Sequence, residues 1–261
     1  MNLNTPNFSR FTHDGLEFAF FDEGPPDGVP ILLIHGFASS ASVNWVYTGW
    51  LKTLVDAGYR VIAIDNRGHG DSDKPHDASF YHCSAMASDA LALLDHLDLA
   101  GAHILGYSMG ARIAAFAAVQ SPARVSSLVF GGLGLGMVDG VGDWDPIADA
   151  LLASSLADVT HDRGRMFRAF ADQTKSDRIA LAACIRTSRD SISREQAAHI
   201  FAPTLIAVGT KDDLAGSPQG LAALMPHATA LDIPNRDHML AVGDKVFKQA
   251  VLEFLAEAPT P

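Results

Sequence analysis

Ala102-His103-Ile104-Leu105-Gly106-Tyr107-Ser108-Met109-Gly110-Ala111-Arg112 is the stretch that decides the fold. An apolar run leads into a helix start rich in small residues, and Gly-x-Ser-x-Gly stands at the junction with Ser108 at its centre. A serine on so sharp a strand-to-helix turn sits in a strained backbone conformation. Gly106 and Gly110 have no Cβ to collide with neighbouring elements. The turn pushes the hydroxyl out at the top of a sheet and sets it at a helix N-terminus, where unpaired N–H groups stabilise an anion. Short Gly/Ser patterns also mark ordinary turns. The rest of the chain must therefore supply a base, an acid and a second anion-stabilising donor.

The flanking sequence alternates. Phe8–Thr12 and Leu16–Phe21 are predicted strands joined at His13-Asp14-Gly15, a tight-turn signal. Val29–Ile34 is a continuous apolar run, the mark of a strand buried on both faces. A helix is expected from Asn44 or Trp45 to Asp56, then a strand over Tyr59–Ile64 and a loop from Asp65 to Pro75 dense in turn formers. A helix over Ser84–Leu97, the strand Ala102–Tyr107, a helix over Met109–Gln120 and a strand over Val125–Phe130 follow. This order implies an α/β fold, a mainly parallel sheet covered by helices on both faces. Sites in such sheets lie at the C-terminal strand ends, where His35, Asp65, Ser108 and Gly131 fall.

The pattern then breaks. From Gly132 to about Ile200 only helical segments are expected, at Leu151–Val159, Met166–Ala171, Asp177–Arg186 and Arg194–Ile200. Strands resume at Thr204–Val208 and Thr229–Ile233, with a short helix over Pro218–Met225 between them and a closing helix over Lys245–Ala256. The division is thus a core of residues 1–133 and 201–261, with a helical insertion over 134–200.

The 261 residues carry 48% hydrophobic and 19% charged side chains, enough for a sizeable core. A formal net charge of −11 disfavours a nucleic-acid partner, which needs basic patches. Cys83 and Cys184 show no disulfide framework or metal spacing, so both read as packed thiols. Met1–Arg10 lacks the pattern of a signal peptide, and no apolar run reaches membrane-spanning length. A cytoplasmic protein acting on a small molecule is expected. Oligomeric state leaves no mark in the sequence.

A serine hydroxyl near neutral pH needs a base within hydrogen-bond reach, and that base needs an acid to fix its tautomer. Asp212 and His238 each follow a predicted strand, giving the order Ser…Asp…His. Asp213, adjoining Asp212, offers an alternative acid.

Gly106-Tyr107-Ser108-Met109-Gly110, His35-Gly36-Phe37, Arg67-Gly68-His69-Gly70-Asp71-Ser72-Asp73, Gly209-Thr210-Lys211-Asp212 and Asp237-His238 together resemble the α/β-hydrolase superfamily. The resemblance runs from about Gly15 to Leu255, apart from the insertion. It implies Ser108 as nucleophile, His238 as general base and acid, Asp212 as orienting acid, and the amides of Phe37 and Met109 as the oxyanion hole. The family's usual spacing from the glycine favours Asp212 over Asp213. The segment 134–200 would be a cap, or lid, over the site. One departure stands out: relatives usually carry glycine where this chain has Asp237.

A serine elbow argues against dehalogenase and epoxide-hydrolase chemistry, which use an aspartate there. The loop His35-Gly36-Phe37-Ala38 lacks both the glycine runs of HGGG-type lipases and the run typical of proline iminopeptidases. Hydrolysis of small or medium carboxylic esters, without cofactor or metal, is the expectation. Thioesterase, lactonase, carbon–carbon hydrolase and perhydrolase chemistry stay open, as does a ligand sensor on the same scaffold. Tyr107, Trp144, Trp45, Met109 and Phe37 are the candidate pocket residues. His35 and His69 are expected to support their loops.

Overall fold

The computed structural model describes residues 5–261. One sheet holds β1 (Phe8–His13), β2 (Leu16–Glu23), β3 (Pro30–Ile34), β4 (Arg60–Ile64), β5 (Ala102–Tyr107), β6 (Val125–Gly131), β7 (Thr204–Gly209) and β8 (Ala228–Ile233). The order across it is β1-β2-β4-β3-β5-β6-β7-β8. β2 pairs antiparallel with β1 and β4, and the pairings from β4 through β8 are parallel. The chain winds outward from β3 to β4, then returns to β5 on the other side of β3. That reversal opens a crevice at the C-terminal ends of β3 and β5, the place where such sheets bind ligands.

The helices are α1 (Trp50–Asp56), α2 (Cys83–His96), α3 (Met109–Gln120), α4 (Gly136–Asp139), α5 (Asp145–Leu152), α6 (Asp162–Gln173), α7 (Arg178–Thr187), α8 (Arg194–Ala198), α9 (Pro218–Ala222) and α10 (Lys245–Glu257). The two-residue period of the strands divides the core between the faces. Leu32, Ile34, Ile62, Ile64, Ile104, Leu128, Phe130 and Ile206 pack toward α2, α3 and α9. Ile31, Leu33, Val61, Ala63, Leu105, Val129, Leu205 and Ala207 pack toward α1 and α10, where Trp50 and Phe247 meet edge to face at 5.0 Å. Both faces of the central strands are apolar because both are covered. Ala111, Ala114, Ala115, Ala117 and Ala118 are all buried on α3, so this helix lies close against the sheet.

Two expectations are corrected. The helix expected from Asn44 or Trp45 is divided: Ser42–Val46 forms a wide π-type turn, and α1 begins at Trp50 after Gly49, whose φ of 81° breaks the helical path. The helix expected over Leu151–Val159 lies earlier, as α5. Pro146 sits in its first turn, where a missing N–H costs no hydrogen bond. The chain leaves the helix at Ala153, and Ser155 and Asp158 cap one another in a short 3₁₀ turn. All of α4 to α8 fall between β6 and β7. No helix among the described residues is long and apolar enough to cross a membrane.

Candidate active site

β5 ends at Tyr107 and α3 begins at Met109, which leaves Ser108 alone to make the turn. Its φ of 55° and ψ of −112° lie outside the usual basins of an L-residue, a strain that the surrounding packing must hold. The Ser108 amide donates to the carbonyl of Gly131 on β6 at 2.7 Å, and its carbonyl accepts from Ala111 and Arg112. A Cβ on Gly110 would meet the Ile34 carbonyl oxygen at 1.9 Å, and one on Gly106 the Gly110 carbonyl oxygen at 2.2 Å.

The loops after β7 and β8 bring Asp212 and His238 to this turn. Nε2 of His238 is 2.9 Å from Ser108 Oγ, and Nδ1 of His238 is 2.7 Å from Asp212 Oδ2. The other carboxylate oxygen, Oδ1, accepts from the amides of Leu214 and Ala215 at 2.9 and 3.0 Å. The Asp212 side chain is fully buried. Asp213 points elsewhere and pairs with Arg163 of α6 at 3.2 Å. Asp237 is exposed and caps the following turn: its Oδ1 accepts from the amides of Met239 and Leu240. Tyr107 closes the arrangement from beneath, its hydroxyl donating to the His238 carbonyl at 2.6 Å. In this geometry the imidazole can take the serine proton through Nε2 while Nδ1–H stays on the carboxylate.

The loop after β3 lies across the crevice and is pinned amide by amide. Gly36 N donates to Asn44 Oδ1 at 2.8 Å, and Ala38 N donates to Nε2 of His69 at 3.1 Å. Between them the Phe37 amide, like that of Met109, has no acceptor among the described residues. His35 Nε2 accepts from Asn66 N, and Asp65 receives the amides of Ala41 and Asp71. Asn44 carried no signal in the sequence, although its partner Gly36 lies only eight residues earlier in the same connection.

Both loop histidines are held neutral. Burial lowers His35 to about 4 and His69 to about 3, and in the second case the neighbouring His35 adds to the effect. Burial also lowers His103 on β5 to about 4. The unfolded chain protonates such residues near their ordinary value, about 6.5. Below that pH the unfolded state binds more protons than the native one, so stability is complete above about 6.5 and falls with pH down to about 4. Asp65 and Asp89, raised by burial, pull the other way at the acid end. Urea titrations at pH 7 and 5 should show a loss of about 2 kcal/mol for each of the three histidines, less that offset. Equal stability at the two values would contradict the burial of neutral imidazoles.

Two cavities meet at Ser108, His238, Phe37 and Trp144. The larger, about 730 Å³ including its open mouth, is lined further by Val43, Asn44, Thr48, Tyr107, Phe167, Phe170 and Met239. The smaller, about 440 Å³, runs between Met109, Leu133, Val141, Ile185 and Leu214 to Arg112, Ser188 and Arg189. Tyr107 and Trp144 therefore border the crevice. Trp45 does not: it is fully buried against Trp50 on the α1 face. Cys83 and Cys184 are buried thiols, and burial raises each to about 12. Among the described residues no group of three or more His, Cys, Asp or Glu is placed to hold a metal ion.

Residues 29–170 match the family model of the alpha/beta hydrolase fold, and the chain belongs to the α/β-hydrolase superfamily. It is similar to the dihydrolipoyllysine-residue acetyltransferase component of the acetoin cleaving system of Pseudomonas putida, 29% identical over 90% of this chain and 66% of that one. It is also similar to a non-heme chloroperoxidase of Streptomyces lividans, 40% identical over 45% of this chain and 41% of that one. The chain thus spans less than two thirds of the length of either relative. A solved hydrolase from Pseudomonas aeruginosa superposes with a TM-score of 0.80 at 27% identity, covering 95% of this chain and 98% of that one.

Proposed function

We propose that this chain is a serine hydrolase that cleaves carboxylic esters of small or medium size through an acyl-enzyme. The observation that carries this is the continuous hydrogen-bonded chain Ser108–His238–Asp212 at the mouth of two cavities. Ser108 Oγ attacks the acyl carbon and His238 Nε2 takes its proton. The carbonyl oxygen, now negative, is held by the amides of Phe37 and Met109, which no protein group occupies. The imidazolium returns its proton to the departing alcohol. Water then attacks the acyl-enzyme, with His238 again accepting and returning a proton, and Ser108 is restored. Asp212 keeps the imidazole in the tautomer that presents Nε2 to the serine.

Residues 134–200 act as a cap over this chemistry. Trp144, Phe167, Phe170, Ile185 and Ser188 all come from that segment and all line the cavities, so it selects what reaches Ser108. The test is hydrolysis of 4-nitrophenyl esters from acetate to long acyl chains, with wild type beside Ser108→Ala. Turnover that peaks at short or medium chains and disappears in the variant is expected. Equal turnover in the two proteins overturns the mechanism.

A further inference from the structure

Arg112 is a buried cation without a counter-ion. The residue is 3% exposed, and its guanidinium donates to the carbonyls of Gly136, Met137 and Asp190 and, at 3.5 Å, to Ser191 Oγ. Every one of these partners is neutral. The Asp190 carboxylate turns away, to His82 Nδ1 and the Cys83 amide. Among the described residues Arg112 forms no ion pair. A buried charge held only by dipoles is costly, and an anion beside it recovers part of that cost.

The surroundings point the same way. The smaller cavity is bordered by Arg112, Ser188 and Arg189, and by no Asp or Glu. Arg189 reaches it from the cap and shares its charge with the exposed Asp145 at 3.1 Å. The lining of the larger cavity contains no Lys, Arg, Asp or Glu. In a chain of net charge −11, a recess beside the serine lined by two arginines and by no Asp or Glu is a local inversion of sign. Such a recess concentrates anions.

We infer that the smaller cavity receives a carboxylate at the far end of the substrate's acid part, making monoesters of dicarboxylic acids the preferred class. Of the two residues whose amides face the acyl oxygen in the mechanism above, Phe37 lines both cavities and Met109 only this one, and the acid arm is assigned here with the alcohol in the larger one. The inference rests on Ser108 as nucleophile.

The test compares mono-4-nitrophenyl adipate with 4-nitrophenyl hexanoate, which differ only in a terminal carboxylate against methyl. Wild type should prefer adipate in kcat/KM by about tenfold or more, the scale of a charged hydrogen bond. Arg189→Gln should bring the ratio close to one, and Arg189→Lys should restore part of it. A purely structural arginine would leave the ratio alone. A preference for hexanoate, or a ratio untouched by Arg189→Gln, overturns the inference while hydrolysis through Ser108 stands. Should neither ester be cleaved, the proposed function fails. Binding of monomethyl adipate and methyl hexanoate to the Ser108→Ala protein then decides the inference alone: at least tenfold tighter binding of the anion supports it, and equal binding refutes it.

Discussion

Asp212→Asn is expected to lower kcat about 10⁴-fold while Asp213→Asn stays within about twofold of wild type. The two aspartates are neighbours, yet the fold gives them opposite surroundings. The Asp212 side chain is fully buried, receives two backbone amides on one oxygen and holds His238 Nδ1 on the other. An amide at that position would have to offer an NH₂ either to Nδ1 or to the two backbone N–H groups. In the first case the imidazole proton moves to Nε2 and the base is lost. In the second, donor faces donor. Asp213 meets only Arg163, at the surface. An exposed pair of this kind contributes little to stability. Steady-state kinetics of the two variants, with circular dichroism to show that both fold, is the check. Similar losses in both would mean that the loop as a whole, not the Asp212 carboxylate, supports the base.

Gly110→Ala should be among the most damaging changes of a single methyl group. The added Cβ would stand 1.9 Å from the Ile34 oxygen and 2.8 Å from that of His35, both backbone atoms at the end of β3. Neither can turn aside as a side chain would. Relief requires α3 and β3 to separate, which opens the crevice in which Ser108 faces the Phe37 amide. The stability loss should exceed about 3 kcal/mol. Any protein that still folds should lose about 10²-fold or more in activity, since a displacement of about 1 Å has that effect on aligned groups. Urea unfolding and ester turnover measure the two losses. A variant with the wild-type midpoint would show that the elbow does not press on β3.

What the sequence made legible was local. The apolar strands, the glycines of the elbow and the placement of His35, Ser108, Asp212 and His238 beyond strand ends follow from periodicity and turn chemistry. What it hid was contact between distant segments. Arg67, in the glycine-rich loop, forks onto Asp89 of α2 at 2.7 and 2.8 Å, and His13 reaches the same carboxylate. Nothing in the loop's own sequence names that partner. His69 pins the Phe37 loop from the loop after β4, hidden for the same reason. Trp45 read as a pocket residue, but the wide turn at Ser42–Val46 turns it into the core. In the segment 134–200, short helices begin at local caps such as Asp177, whose Oδ1 accepts from Ile179 and Ala180. Hydrophobic periodicity alone misplaces such boundaries.

The most direct test of Ser108 as the nucleophile is intact-protein and peptide mass spectrometry after reaction with a fluorophosphonate, run beside ester turnover. The expected result is one adduct per chain, on the peptide holding Ser108, with activity lost in proportion and no adduct on Ser108→Ala. An adduct elsewhere, or full turnover by protein labelled at Ser108, would contradict it.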